Sequence, residues 1–334
     1  MNTIVTLLTA SKLARKQSYK NLTLFPLLAP EAATPDYLTL EQALERNLVQ
    51  VSELDQDGSV PELKLLNKGK NKVLIIEGEE LVGAKQNRIV NATFLVAAST
   101  ETIIPVSCVE QGRWHYASER FGSGNKMMHA SLRRNQQVRV RESLQQGRGY
   151  QSNQGEIWED ISAKLDRMKV AAPTRAMADA YESYATKISD YSENFQRIEC
   201  QIGAVFAIDG RVLGLESFGC SDTFTRFFEK IVKSYALDAL DSRKSTHSIS
   251  VAPEAARRFI QSTAKGKTER HPTLGLGEAM TIESRVVSGA ALTEKGRVIH
   301  LSAFRKARGQ SSPGVRYGRY SDRFNRRQDQ DIVY

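Results

Sequence analysis

The apolar pattern changes period partway along the chain. From Leu22 to Val109 it comes in short β-branched runs separated by turn residues, whereas from Met127 to Tyr191 apolar residues recur every three or four positions. Strands send alternate side chains to opposite faces, and helices gather i, i+3 and i+4 on one face. The first stretch therefore builds sheet and the second builds helices. Hairpin patterns return at Ile202–Gly214 and Ser288–Leu301. Sheet and helix grouped in blocks define an α+β fold. We expect an antiparallel sheet, sandwich or barrel-like, with a cluster of helices.

Local signals refine this. Pro26 marks an edge or a bend in the strand that starts at Leu22. Thr39 with Gln42 three residues later is a capping box opening a short helix. Val49–Leu54 alternates as a strand and Asp57-Gly58 supplies a turn. Val73–Ile76, Ile89–Val96 and Thr102–Val109 read as strands of one packed antiparallel sheet. A basic helix is predicted over Met127–Leu144, and another carries Ile157, Ile161, Leu165 and Met168 on one face. Pro173 suits a first helical position. Ser221 or Asp222 caps a long helix lined by Phe224, Phe227, Ile231 and Tyr235, and Pro253 opens one that ends near Gly266. The chain divides into an N-terminal extension (1–20), an α+β domain (21–304) and a flexible basic tail (305–334). Within the domain, 21–116 is β-rich, 120–149 is a basic helical insert, and 154–304 holds helices and hairpins.

The 334 residues carry a formal charge of +9, with 40% hydrophobic and 25% charged residues. That composition belongs to a globular chain and excludes collagen-like or wholly disordered classes. No apolar run is long enough to cross a bilayer as a helix, and the N-terminus lacks the basic start of a secretory signal. Cys108, Cys200 and Cys220 are scattered, which fits a reducing cytoplasm better than a disulfide framework. The positive charge is regional. Eight basic against three acidic residues give +5 from Arg305 to the end, seven against one give +6 from Arg120 to Gly149, and the remainder is −2. A nucleic-acid or acidic-protein partner would therefore use Arg133, Arg134, Arg139 and Arg141 of the insert, and Arg316, Arg319 and Arg323 of the tail, where arginines alternate with tyrosines.

Between Glu77 and Trp114 polar residues crowd among strands. An unpaired buried polar group costs about 1–3 kcal/mol, so these side chains must be solvated, paired with one another or gathered around a ligand. In the first reading Glu79, Gln86, Asn87, Arg88, Asn91, Glu110 and Arg113 line one pocket and Trp114 offers a stacking surface. Asn87, Asn91 and Thr93 then share one strand face and Arg88 takes the other. Arginines and amides suit phosphate and ribose, and Glu79 or Glu110 could activate water. In the second reading the same acids and arginines are structural ion pairs at hairpin ends. Cys108 lies inside a strand, where a thiol packs as a small hydrophobe. The five histidines show no metal-ligand spacing, and no glycine-rich phosphate loop is present, so the pattern specifies no metal and no cofactor.

The segments Gly78–Arg88, Ile104–Trp114, Gly203–Gly210 and Ser234–Leu240 resemble the ARG- and rhodanese-phosphatase-superfamily-associated protein domain family of bacteria, over about Leu22 to Ala303. The resemblance implies an association with ADP-ribose- and NAD-using systems, some in bacterial conflict or defence. It places the family's polar motif on Glu79, Gln86, Asn87, Arg88, Glu110, Arg113 and Trp114. The expectation is a cytoplasmic protein that binds or processes a phosphorylated, ribose-containing ligand. The alternatives are a non-enzymatic subunit that grips nucleic acid through its basic segments, and a structural member of a larger complex.

Overall fold

A nine-stranded antiparallel sheet forms the centre of the molecule. In the computed structural model, which describes residues 3–29, 34–55, 59, 61–242 and 250–307, its strands run in the order Lys12–Leu13, Leu22–Leu28, Gln201–Ile208, Arg211–Phe218, Arg297–Arg305, Val287–Glu294, Glu278–Glu283, Lys267–His271. Gln17–Tyr19 adds to the second of these. Both faces are covered, so the central strands are mostly apolar and buried. Gln201–Ile208 is buried at every position. Phe25, Val205, Leu215 and Leu301 pack toward the helices Thr3–Ala10 and Pro253–Ala264. Leu24, Phe206, Phe218 and Phe304 pack on the other side, beneath the helix Ser221–Asp241. There Tyr235 stacks on Phe206 with ring centroids 4.0 Å apart, a contact that adds about 0.5–1.5 kcal/mol to the area buried.

Six strands close a barrel in the order Thr100–Cys108, Glu62–Asn67, Val49–Ser52, Phe121–Met127, Glu79–Gly83, Arg88–Val90. Its interior is filled by Val51, Leu65, Leu81, Val90, Ile104 and Val106, leaving a packed core rather than a channel. A small sheet joins Phe94–Val96, Lys72–Ile75 and Tyr37–Thr39, and its last pair is parallel. The helix Ala130–Gln145 leaves the barrel and lies against Val287–Glu294 and Arg297–Arg305 of the large sheet. It thereby ties the two β bodies together. Gln154–Met168, Met177–Ser183 and Ala185–Glu193 complete the helical cluster around Ser221–Asp241.

The α+β expectation holds, with a sheet and a true barrel side by side. The capping box at Thr39 and Gln42 is present in both directions, and the 201–218 and 287–305 hairpins form. Several details differ. The three β runs expected to share a sheet split between the barrel and the small sheet. The run from Ile89 to Val96 breaks at Asn91–Thr93, so the alternation expected for Asn87, Asn91 and Thr93 stops there. Cys220, not Ser221 or Asp222, caps the long helix, its Sγ accepting from the Thr223 N–H at 3.4 Å. Helix resumes at Met177, after Pro173 has passed through a turn. Residues 3–19 pack into the large sheet with Ile4 and Leu8 buried. Asp57-Gly58 and the tail from Arg308, including Arg316, Arg319 and Arg323, lie outside the described residues. Cys108, Cys200 and Cys220 are all free thiols, and no helix among the described residues is long and apolar enough to cross a membrane.

Candidate functional site

Six of the eight residues read as a pocket do meet, at the mouth of the barrel, and they bind one another. Arg113 donates through Nε to Glu110 Oε2 at 2.8 Å, through Nη2 to Asn87 Oδ1 at 3.0 Å, and through Nη1 to the carbonyls of Ala84 and His115 at 2.8 and 3.2 Å. Glu110 also accepts from the Asn87 N–H and the Thr174 hydroxyl. Gln86 donates to the Glu110 carbonyl at 3.0 Å and accepts from Arg88 at 2.7 Å. Arg88 is fully buried, 3.7 Å from Glu53, with the Trp114 ring 5.7 Å away. Of the six only Trp114, 48% exposed, stands out in solvent, and Asn87 is half-buried. The cluster staples the loop 111–120 to the barrel, because a guanidinium can hold several carbonyls and a carboxylate in one plane.

Glu79 and Asn91 stand apart from that cluster. Glu79 Oε2 accepts from the Ile76 N–H at 2.8 Å. Burial pushes its carboxyl up to about 7, against the pull of Lys230. Glu80 beside it is also pushed up to about 7 by burial, partly offset by Lys126. Asn91 donates to the Tyr150 carbonyl and accepts from Ser107 and Gln136.

The basic helix turns most of its arginines inward. Arg133, 1% exposed, holds Glu216 through two bonds of 2.8 and 3.0 Å and Glu77 through a third of 3.0 Å. Arg139 pairs with Glu156 and Asp160, Arg141 with Glu283 and Ser288, and Arg134 bonds Asn135. Burial would lower the Arg133 pKa, but Glu216 and Glu77 reverse the effect and raise it. Glu216 is likewise held below its usual range, since Arg133 and His300 outweigh its burial. Two glycines make room for this network. At Gly78, whose φ is +80°, a Cβ would lie 2.9 Å from Arg133 Cδ, and at Gly214 a Cβ would clash with the Tyr235 hydroxyl.

Asn91 belongs to a different site, a crevice between the helix Ala130–Gln145, the strands Glu278–Glu283 and Val287–Glu294, and the turn at 91–93. Its cavity is small, about 40 Å³. Val140, Leu144, Ala279, Met280, Ala290 and Ala291 supply its apolar wall; Glu77, Asn91, Thr93, Gln137, Arg141, Tyr150, His271 and Thr281 supply polar groups. Gln137 spends both of its protons on Glu77 Oε1 and Ser302 Oγ, each at 2.7 Å, and its Oε1 is buried with no donor from the described residues. Tyr150 donates to the Pro272 carbonyl, and burial pushes its hydroxyl up to about 12. Gln137, Glu216 and His300 were not legible as site residues. The one sequence signal was a lone titratable residue inside an apolar strand, at Glu216 and at His300, which needs a partner wherever it is buried.

The fold and these sites define an α+β protein in which a barrel and a sheet are clamped together by an internal ion network beside a small crevice. The chain belongs to the ARG and Rhodanese-Phosphatase-superfamily-associated Protein domain family, whose model matches residues 11–304. No curated protein and no solved structure matches it. Among the described residues no group of three or more His, Cys, Asp or Glu side chains is arranged to hold a metal ion.

Proposed function

We propose that this chain is a cytoplasmic protein that binds the phosphorylated ribose end of an ADP-ribose- or NAD-like ligand in the crevice beside Gln137. The observation that carries the reading is Gln137, a residue that lines the crevice and whose Oε1 is buried without a donor from the described residues. A sugar hydroxyl supplies that donor, and net stabilisation of about 0.5–1.5 kcal/mol per such bond is typical. Arg141 brings a guanidinium to the same wall, where a phosphate would compete with Glu283. Binding to nucleic acid draws no support from the insert helix, because Arg133, Arg139 and Arg141 are already matched by carboxylates.

Calorimetry with ADP-ribose, NAD and ribose 5-phosphate tests the reading. Binding should appear with all three and weaken about tenfold in Gln137→Leu, which removes the acceptor. No heat with any of them at millimolar concentration would remove the proposal.

A further inference from the structure

We propose that Thr93 is a nucleophile, with His300 as its base and Glu216 positioning that base, and that the crevice hydrolyses small acyl esters. The proposal goes beyond the ribose-phosphate reading and does not depend on it. Thr93 lies on the crevice wall and is partly exposed. Its Oγ1 is 2.8 Å from His300 Nδ1. The Glu77 N–H donates to the same oxygen at 3.2 Å, and in the proposed arrangement the threonine's own proton is given to the imidazole. That assignment makes Nδ1 the acceptor and puts the ring proton on Nε2.

His300 Nε2 faces Glu216 Oε2 at 3.8 Å and has no closer partner among the described residues. The register of the sheet builds this juxtaposition. His300 is opposite Phe218 and Ser302 is opposite Glu216, so His300 and Glu216 share one face of adjacent strands. Phe218 packs on the imidazole at 4.7 Å between centroids, which fixes the ring. Two carboxylates, Glu77 and Glu216, share the single guanidinium of Arg133. The negative charge left over stands beside the position where an imidazolium would form. A hydroxyl, a base and a carboxylate in this order are the working parts of acyl transfer on unrelated folds. The 3.8 Å separation is long for a hydrogen bond and would shorten once His300 is charged.

In the reaction, Thr93 Oγ1 attacks the ester carbonyl carbon while its proton passes to His300 Nδ1. The bond from carbon to the leaving oxygen breaks, and that oxygen takes the proton from His300. Water then attacks the acyl-threonine, giving a proton to His300, which returns it to Thr93 as the carboxylic acid departs.

The full chain should hydrolyse p-nitrophenyl acetate, and a fluorophosphonate probe should add its mass to the peptide containing Thr93. Hydrolysis should fall about 100-fold or more in Thr93→Val and in His300→Gln and stay within about tenfold in Thr93→Ser, which keeps the hydroxyl. In Glu216→Gln the acid limb of the pH–rate profile should move to lower pH, because the imidazolium has lost its carboxylate. Thermal melts establish that each variant is folded, and the Val and Ser pair at position 93 decides the matter if Glu216→Gln is not. Equal hydrolysis by the native chain and Thr93→Val, with no mass added to the Thr93 peptide, would overturn the proposal.

Discussion

Arg133 holds Glu216 through two parallel bonds, Nη1 to Oε1 at 2.8 Å and Nη2 to Oε2 at 3.0 Å, with both side chains almost wholly buried. The helix that leaves the barrel is thereby fastened to the middle of the large sheet. Glu77, just before the barrel strand Glu79–Gly83, takes a further bond from the same guanidinium. One cation thus joins three parts of the chain.

Removing that cation strands two carboxylates away from water. Arg133→Met should destabilise the protein by about 3–5 kcal/mol, as broken buried pairs do. Urea denaturation measures this, and a loss below about 1 kcal/mol would show that the clamp contributes little. Arg133→Lys should also be costly, since an ammonium cannot reproduce the paired geometry.

Glu80 supplies a pH dependence of opposite sign to ordinary acid denaturation. Neither carboxylate oxygen has a hydrogen-bond partner among the described residues, and burial holds the group at about 7 against 4.5 when exposed. The folded state therefore binds this proton more tightly than the unfolded state. Its contribution is fully present below about pH 4.5, falls as pH rises to about 7, and is absent above. The difference is on the order of 3 kcal/mol. Glu80→Gln should raise stability at pH 8 by roughly 1–3 kcal/mol and change little at pH 4.5. Denaturation curves at the two pH values check it, and an equal effect at both would refute the assignment.

The Arg113 cluster and the crevice make separable predictions. Arg113→Lys loses the contacts to Glu110, Asn87 and the Ala84 and His115 carbonyls. It should lower stability by about 2 kcal/mol or more and speed proteolysis within 111–120, with ribose 5-phosphate binding unchanged. If instead stability held and binding vanished, the barrel mouth would be the ligand site.

Gly214 and Tyr235 should be coupled. A methyl at position 214 collides with the Tyr235 hydroxyl, so Gly214→Ala should cost roughly 1–3 kcal/mol. Tyr235→Phe removes that oxygen together with its 3.2 Å bond to Glu216. The double variant should be more stable than the sum of the two single changes, by about 0.5 kcal/mol or more. Strict additivity in a double-mutant cycle would contradict the close approach.

Fold class was legible because periodicity is a local property. The change from short β-branched runs to helical spacing, the Thr39–Gln42 cap and the Pro253 start all report on neighbours a few residues away, and each appears in the structure. The same reasoning misplaced the cap at Cys220, where a thiol performs the task of a hydroxyl. It also read a continuous strand through Asn91–Thr93, where the chain instead bends out of the barrel.

By itself, then, the sequence determined that there would be sheet and helix, where the polar residues concentrate, and which stretches carry the charge. The tertiary structure alone decided what that charge does. The apparent basicity of the insert dissolves once Arg133 meets Glu77 and Glu216, partners 56 and 83 residues away along the chain. Likewise Gln137 and Thr93 line one crevice only because a helix and a turn converge there, and a buried strand brings His300 to Thr93. Local pattern records which face of an element is buried. Which charges face each other depends on how separate elements pack, and low dielectric inside that packing is what makes the pairing obligatory.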